Sequence, residues 1–314
     1  MAVEINKNSD ESSFDPTSGL NRLEESPISI NESNSTEEIK NENGTGLSAM
    51  EMNDANSISV TIADPDSPLI ILFGPPACGK TMTLVRLTRY LKNQGYTIAP
   101  IRTFRPAADK NYERMCNDFD EMINKQNAAE GNNLISFMLV EVRKNGNPLC
   151  QILEAPGEYY FNPQLPKQPF PNYVNRIISC GNRKIWSILV EPDWLNEVDR
   201  LNYVTRITYL KQRMGLKDKV VFIYNKIDKT NFVRGRGDIN IAGAIKEVEN
   251  LYRNIFVPFL NQNPITKFWR KYNCAFVPFQ TGDYTKALNG TTYQEGPDEY
   301  CISLWSTLLR SIKG

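Results

Sequence analysis

"LIILFGPPACGKTMTLVRLTRYLKNQG", residues 69–95, reads as a strand, a tight loop and a helix in immediate succession. Leu69 to Phe73 is wholly apolar, the pattern of a short strand covered on both faces. "KTMTLVRLTRYLKNQG", residues 80–95, has helical spacing of apolar residues and is closed by Gly95. Such a strand needs a crossover to reach a parallel neighbour, so the stretch predicts an α/β domain with a mostly parallel sheet.

The remaining sequence continues the alternation. "YTIAPIR" is a short extended piece and "ADKNYERMCNDFDEMINKQN" a helix. "NLISFMLVEVRK" and "PLCQILEAPG" are strand-like and joined by "NGN", the strongest short hairpin signal. Then follow a helix ("PNYVNRIISCG"), a strand ("KIWSILVEP"), a long helix ("WLNEVDRLNYVTRITYLKQRMG") and a strand ("KVVFIYN"). A helix over "IAGAIKEVENLYRNIFVPFL", a strand "CAFVPFQ" and a terminal helix "DEYCISLWSTLLRSIKG" complete one domain, residues 67–314.

Formal charge is balanced over 314 residues, with 36 Lys and Arg against 36 Asp and Glu. Residues 1–66, however, hold 14 acidic and 3 basic side chains, about −11, which leaves about +11 on the rest. That segment, with "INESNSTEEIKNENGTG", is too poor in apolar residues to offset the entropy of ordering, so it is expected to be a disordered acidic tail able to oppose the basic domain. No stretch has the apolar core of a secretory signal or the ~20 apolar residues of a membrane span, which predicts a cytoplasmic location. Six scattered cysteines without a CxxC pair, and no histidine, exclude histidine-base chemistry and argue against a Cys/His zinc centre.

The pattern GxxxxGK[ST] is met by Gly74, Gly79, Lys80 and Thr81. Its glycines let backbone N–H groups turn inward beside the positive end of the following helix, which suits a polyphosphate. The loop from Gly74 through Pro75, Pro76, Ala77, Cys78 and Gly79 to Lys80, Thr81 and Met82 is therefore the expected nucleotide site. Lys80 is expected to reach the β and γ oxygens and the Thr81 hydroxyl to ligate Mg2+. Cys78 is read as a small side chain that fits rather than a redox thiol.

"VVFIYNKID" then ends an apolar run with Asn225, Lys226 and Asp228. Here the chain resembles Ras-like, TRAFAC-type P-loop GTPases. The resemblance implies a P-loop NTPase fold, a three-layer α/β/α sandwich whose mostly parallel sheet has one antiparallel hairpin strand, with GTP or GDP and Mg2+ as ligands. It implies that Asp228 accepts from the guanine N1–H and 2-amino group, that Lys226 lies along the base, and that Asn225 braces the phosphate loop. Thr281 and Gly282 in "VPFQTG" take the place of the last nucleotide loop. In "LEAPGEYYF" the resemblance puts Glu154 at the metal-holding acid, Gly157 at the γ-phosphate sensor and Glu158 at the water-orienting position. A carboxylate near a polyphosphate is repelled, so hydrolysis is expected to be slow. Thr103 is the candidate for the metal-binding switch threonine, with Thr97 second.

Two other readings stay open. "RTFRPAADKNYERM" after the loop also resembles guanylate-kinase-like enzymes, with Arg102 and Arg105 holding an acceptor; as a cis arginine finger the same pair could serve a GTPase, although surface pairing is the simpler account. A nucleotide-binding scaffold without turnover is the third. Within the GTPases, "APGEYYF" and "LVEPDW" resemble divergent domains of bacterial conflict and signalling systems. A protein effector is expected at the switch segments, with Tyr159, Tyr160 and Phe161 either its surface or core. "KFWRKYN", residues 267–273, mixes basic and aromatic residues but is read as an amphipathic helix end, so nucleic acid and membrane are not the expected partners.

Overall fold

Leu69–Phe73 forms a strand with every side chain buried, and a strand covered on both faces belongs inside a sheet. The computed structural model describes residues 47–124, 137–194, 196–287 and 290–313. In chain order these form α1 (Ala49–Asn53), β1 (Leu69–Phe73), α2 (Lys80–Asn93), β2 (Tyr96–Pro100), α3 (Lys110–Asn124), β3 (Met138–Lys144), β4 (Asn147–Glu154) and α4 (Gly157–Tyr160). Next come α5 (Asn172–Ser179), β5 (Lys184–Val190), α6 (Glu197–Lys211), β6 (Lys219–Tyr224), β7 (Val233–Gly235) and β8 (Asp238–Ile239). The last elements are α7 (Ile241–Leu251), β9 (Ala275–Pro278), β10 (Gly282–Ala287), β11 (Gly290–Glu295) and α8 (Asp298–Lys313).

The central sheet has seven strands in the order β2-β3-β4-β1-β5-β6-β9. All neighbours from β4 to β9 are parallel, while β3 runs antiparallel to both β2 and β4. From β1 the chain moves to one side through α2, and from β4 it crosses back past β1 through α5 and onward through α6 and α7. Right-handed crossovers in opposite directions place α2 on one face and α5 to α7 on the other, a three-layer α/β/α arrangement. The α8 helix joins the α2 face: Arg86, buried on α2, bonds the Gly296 carbonyl at 2.7 Å and pairs with Glu295 at 3.3 Å and Asp298 at 2.5 Å. The carboxyl ends of β1, β4, β5, β6 and β9 share one edge, where ligands of open α/β sheets bind.

The β3–β4 hairpin forms as its Asn-Gly signal predicts. Asn145 and Gly146 have φ of 54° and 80°, the positive pair that a tight turn between right-twisted strands requires. The expected helix over residues 241–260 stops at Leu251, because Asn254 turns left-handed at φ 68° and Pro258 cannot continue it. Two small hairpins, β7–β8 and β10–β11, were not expected.

The boundary of the tail also shifts. Residues 1–46 lie outside the described residues, but 47–66, assigned by sequence to the tail, lie against the domain. Leu47, Ile58 and Val60 are buried, Ser48 and Glu51 form a capping box on α1, and the Asp64 carbonyl accepts from Gln151 at 2.8 Å and Asn182 at 2.6 Å. Three apolar anchors spread over 14 residues carry no helical or strand period, yet each fills a slot in the core. Among the described residues no helix is long and apolar enough to cross a membrane.

Candidate functional site

Strand β1 delivers its loop to the carboxyl edge, and α2 begins at Lys80. Gly79 caps α2 with φ 89°, and a β-carbon there would lie 2.3 Å from Asn225 Nδ2, so both backbone angle and space require glycine. Lys80 is buried and its Nζ donates to the Pro75 carbonyl at 2.9 Å, bridging the two ends of the loop. Pro75 and Pro76 carry no N–H, so the expected cradle offers an anion no backbone donor at those two positions, and the run of donors at the start of α2 begins at Ala77. Met82 is half-buried in the first turn of α2.

Cys78 is buried and packs toward Gly74, where an added β-carbon would meet its Sγ at 2.5 Å. Burial pushes its thiol up to about 11, against the lowering effect of Lys80. That is an inert packing residue, as the sequence reading prefers.

Glu154 ends β4 inside this cluster. Its Oε1 accepts from the Thr81 hydroxyl at 3.1 Å, while its Oε2 is buried with no hydrogen-bond partner. Burial raises its carboxyl from 4.5 to about 8, with Lys80 and Thr81 pulling the other way. A hydroxyl beside an unpartnered carboxylate oxygen is a donor set that fits a hard divalent cation completed by phosphate oxygens and water.

Burial makes Glu154 a weaker acid in the folded state than in the unfolded chain, which ties stability to pH. Between about pH 4.5 and 8 the folded state keeps a proton that the unfolded chain has released, so stability falls as pH rises through that window. Glu154→Gln imitates the protonated form. In thermal melts without metal or nucleotide it is expected to match the native chain at pH 5 and exceed it at pH 8.5, by on the order of 2 kcal/mol. Equal melting of the two proteins at pH 8.5 would show that Glu154 is not a buried acid.

Gly157 lies directly on the loop. An added β-carbon would sit 2.4 Å from Pro76 N, 2.5 Å from Pro75 C and 2.7 Å from Lys80 Nζ. Glu158, next in the chain, is exposed and lines a groove of about 550 Å³ with residues 52–56 of the amino-terminal segment. Tyr160 and Phe161 are core residues, Tyr160 packing on Phe73 at 5.0 Å and Phe161 on Tyr203 at 5.1 Å, so only Tyr159 of the aromatic trio reaches the surface.

From β6, Asn225 Nδ2 donates to the Cys78 carbonyl at 3.0 Å and ties this strand end to the loop. Lys226 adopts φ 56°. Among the described non-glycine residues with positive φ, Asn145 and Asn254 are tolerant types, whereas Ala77 and Lys226 are not, and both lie at this edge. Such a conformation costs roughly 1–2 kcal/mol, and it is typical of sites where the backbone is held for a ligand.

Sequence reasoning missed the partners of Lys226. Its Nζ pairs with Glu191 and lies 3.9 Å from Asp193, and Lys229 also pairs with Asp193. The signal was present as "EPD" immediately after a buried strand. Asp228 is exposed, and its carboxyl is shifted upward by partial desolvation. The Phe279 carbonyl accepts from Ile227 N at 3.2 Å, which sets "FQTG" beside "NKID". Thr281 is buried, its carbonyl accepting from Tyr293 OH at 2.6 Å, and Gly282 has φ 145°.

Thr103 and Thr97 are not part of this cluster. Thr97 lies on β2 and Thr103 just past its end, and β2 is separated from β1 by two strands, roughly 14 Å of sheet. Arg102 bonds Asn117 at 2.8 Å and Asp120 at 3.3 Å. Arg105 is buried between Glu51 at 2.5 Å and Asp109 at 2.9 Å. Arg102 is thus a paired surface arginine, as the simpler account expects, whereas Arg105 is paired but buried; both are engaged within the fold rather than presented to a phosphate or an acceptor.

No protein family matches the chain, and no curated protein does. Among solved structures, the protein described as nucleolar GTP-binding protein 1 of Plasmodium falciparum overlaps with a TM-score of 0.38 at 14% identity, covering 81% of this chain and 90% of that one. The GTPase-like domain of S. cerevisiae Ski7, bound to GTP, overlaps with a TM-score of 0.39 at 14% identity, covering 85% of this chain and 52% of that one.

Proposed function

We propose that this chain binds a guanine nucleotide with Mg2+ at the carboxyl edge of its sheet and acts as a nucleotide-dependent switch that hydrolyses GTP slowly. The observation that carries the reading is the convergence of Lys80, Thr81, Glu154, Gly157 and Asn225 on one loop, from β1, β4 and β6. Thr81 and Glu154 would hold Mg2+, which when bound neutralises charge on the phosphate oxygens. Lys80 and the N–H groups of Ala77 to Thr81 would bind the phosphates at the start of α2. Asp228 would pair with the guanine edge, with Thr281 and Gly282 beside it. Gly157 would sense the terminal phosphate. Glu158, a carboxylate on the surface rather than an amide aimed at the loop, supports slow turnover. An effector that reads the bound state would contact Glu158 and Tyr159, the part of the sensor segment left on the surface.

The kinase reading loses its main support because Arg102 and Arg105 are engaged within the fold. A scaffold without turnover is separated from a slow GTPase by measuring phosphate release from bound GTP.

Asp228→Asn tests the base. Fluorescent GDP, GTP and ATP analogues should show guanine-selective binding by the native chain, and the variant should lose guanine affinity by about 100-fold with no change toward ATP, since a donor then faces a donor. Equal binding of ATP and GTP by the native chain would refute the assignment of "NKID" to the base.

A further inference from the structure

Residues 252–274 link α7 to β9 and feed β9 at the amino edge of the sheet, opposite the phosphate loop. This loop is built, not slack. Asn261, buried, donates through Nδ2 to Thr266 Oγ1 and the Arg270 carbonyl, both at 2.9 Å, and its backbone N–H donates to the Lys271 carbonyl at 2.9 Å. Asn263 Oδ1 accepts from the N–H groups of Ile265 and Thr266. At its base Phe256 and Phe259 pack on Phe222 with ring centroids 4.9 and 5.5 Å apart.

The expected amphipathic helix end is absent; only one 3-10 turn forms, over Thr266–Phe268. As a result the fixed loop holds large apolar side chains in water: Ile265 is 67% exposed, Phe268 79% and Trp269 81%. Between 253 and 273 there are four basic residues and no Asp or Glu. Glu197 and Glu249, from α6 and α7, lie 3.5 and 3.7 Å from Arg253 and Lys271, which leaves Lys267 and Arg270 flanking the aromatic pair.

We infer that this loop docks the protein on an anionic lipid surface, Phe268, Trp269 and Ile265 entering the headgroup boundary while Lys267 and Arg270 meet lipid phosphates and carboxylates. Aromatic and aliphatic side chains with flanking cations are the chemistry of interfacial attachment, each basic residue near the surface adding a severalfold gain. Single-stranded nucleic acid fits less well, because bases stack on aromatic rings and leave an exposed Ile265 unused. Docking through the amino edge leaves the opposite, phosphate-loop edge facing away from the lipid.

Flotation of the full chain with vesicles tests this. Binding is expected to vesicles of phosphatidylcholine with about 30% phosphatidylserine, at least tenfold weaker to phosphatidylcholine alone, and reduced by salt. Trp269 is the most exposed of the four tryptophans, so emission should shift to the blue on binding. Phe268→Ser with Trp269→Ser, and separately Lys267→Glu with Arg270→Glu, should each weaken binding at least tenfold with unchanged melting temperature. Absence of flotation with the serine lipid, or flotation undiminished in both double variants, overturns the proposal. So does loop-dependent binding of a single-stranded oligonucleotide, or self-association abolished by the same variants, without lipid binding.

Discussion

Lys80→Ala is expected to abolish binding of nucleoside di- and triphosphates, with affinity down at least 100-fold, about 3 kcal/mol or more. The ammonium is buried, lies at the loop's centre and is fixed by the Pro75 carbonyl, so it meets phosphate already placed and partly desolvated. With Pro75 and Pro76 lacking N–H groups, the loop has fewer backbone donors than its length suggests, and the lysine carries a larger share. The cost to folding is smaller, roughly 1–2 kcal/mol, because the bond lost from the ammonium to the Pro75 carbonyl is offset by no longer burying a charge, and Glu154 keeps Thr81. Lys80→Arg separates charge from shape. A wider guanidinium has no room where a single β-carbon on Gly157 would already come within 2.7 Å of Nζ, so this charge-conserving variant should fail nearly as completely. Titration of a fluorescent GTP analogue reads both. Affinity within threefold of native for Lys80→Ala would place the phosphates elsewhere.

Why these residues could be found from sequence, and others not, follows from the range of the interactions. A buried strand, a glycine-bracketed turn and a helix start are local, so residues 69–95 were enough to read the fold and the loop we propose as the phosphate site. The β3–β4 hairpin is local too, fixed by Asn145-Gly146. The strands β10 and β11, "GDYTKA" and "GTTYQE", are polar and carry no apolar alternation that marks a strand against a core. Pairing across elements is a different matter. That Lys226 turns to Glu191 rather than outward depends on β5 and β6 ending side by side, 35 residues apart in sequence. The segment 47–66 escaped for the converse reason: its composition is that of a disordered tail, and only the core reveals that Leu47, Ile58 and Val60 have places to go. Thr103 was assigned by its order between motifs, and order along the chain says nothing of the two strands that separate β2 from β1.

Gly157→Ala is expected to change the choice between tri- and diphosphate. The β-carbon would fall 2.4 and 2.5 Å from backbone atoms of Pro76 and Pro75, and backbone of a proline pair cannot yield as the end of a flexible side chain can. The sensor segment must therefore move off the loop, at a cost of about 1–3 kcal/mol to the metal-free fold. If Gly157 N–H is the group that meets the terminal phosphate, that movement removes a contact which GTP makes and GDP does not. Affinity for GTP should then fall by about tenfold or more relative to GDP, one charge-assisted hydrogen bond being worth roughly 1.5–3 kcal/mol. Paired titrations with GDP and a non-hydrolysable GTP analogue give the ratio directly, and melting curves give the packing cost separately. An equal loss for both nucleotides would mean that the clash damages the whole loop and that Gly157 is a packing residue only. Loss confined to the triphosphate would identify residues 157–160 as the element that distinguishes the two states.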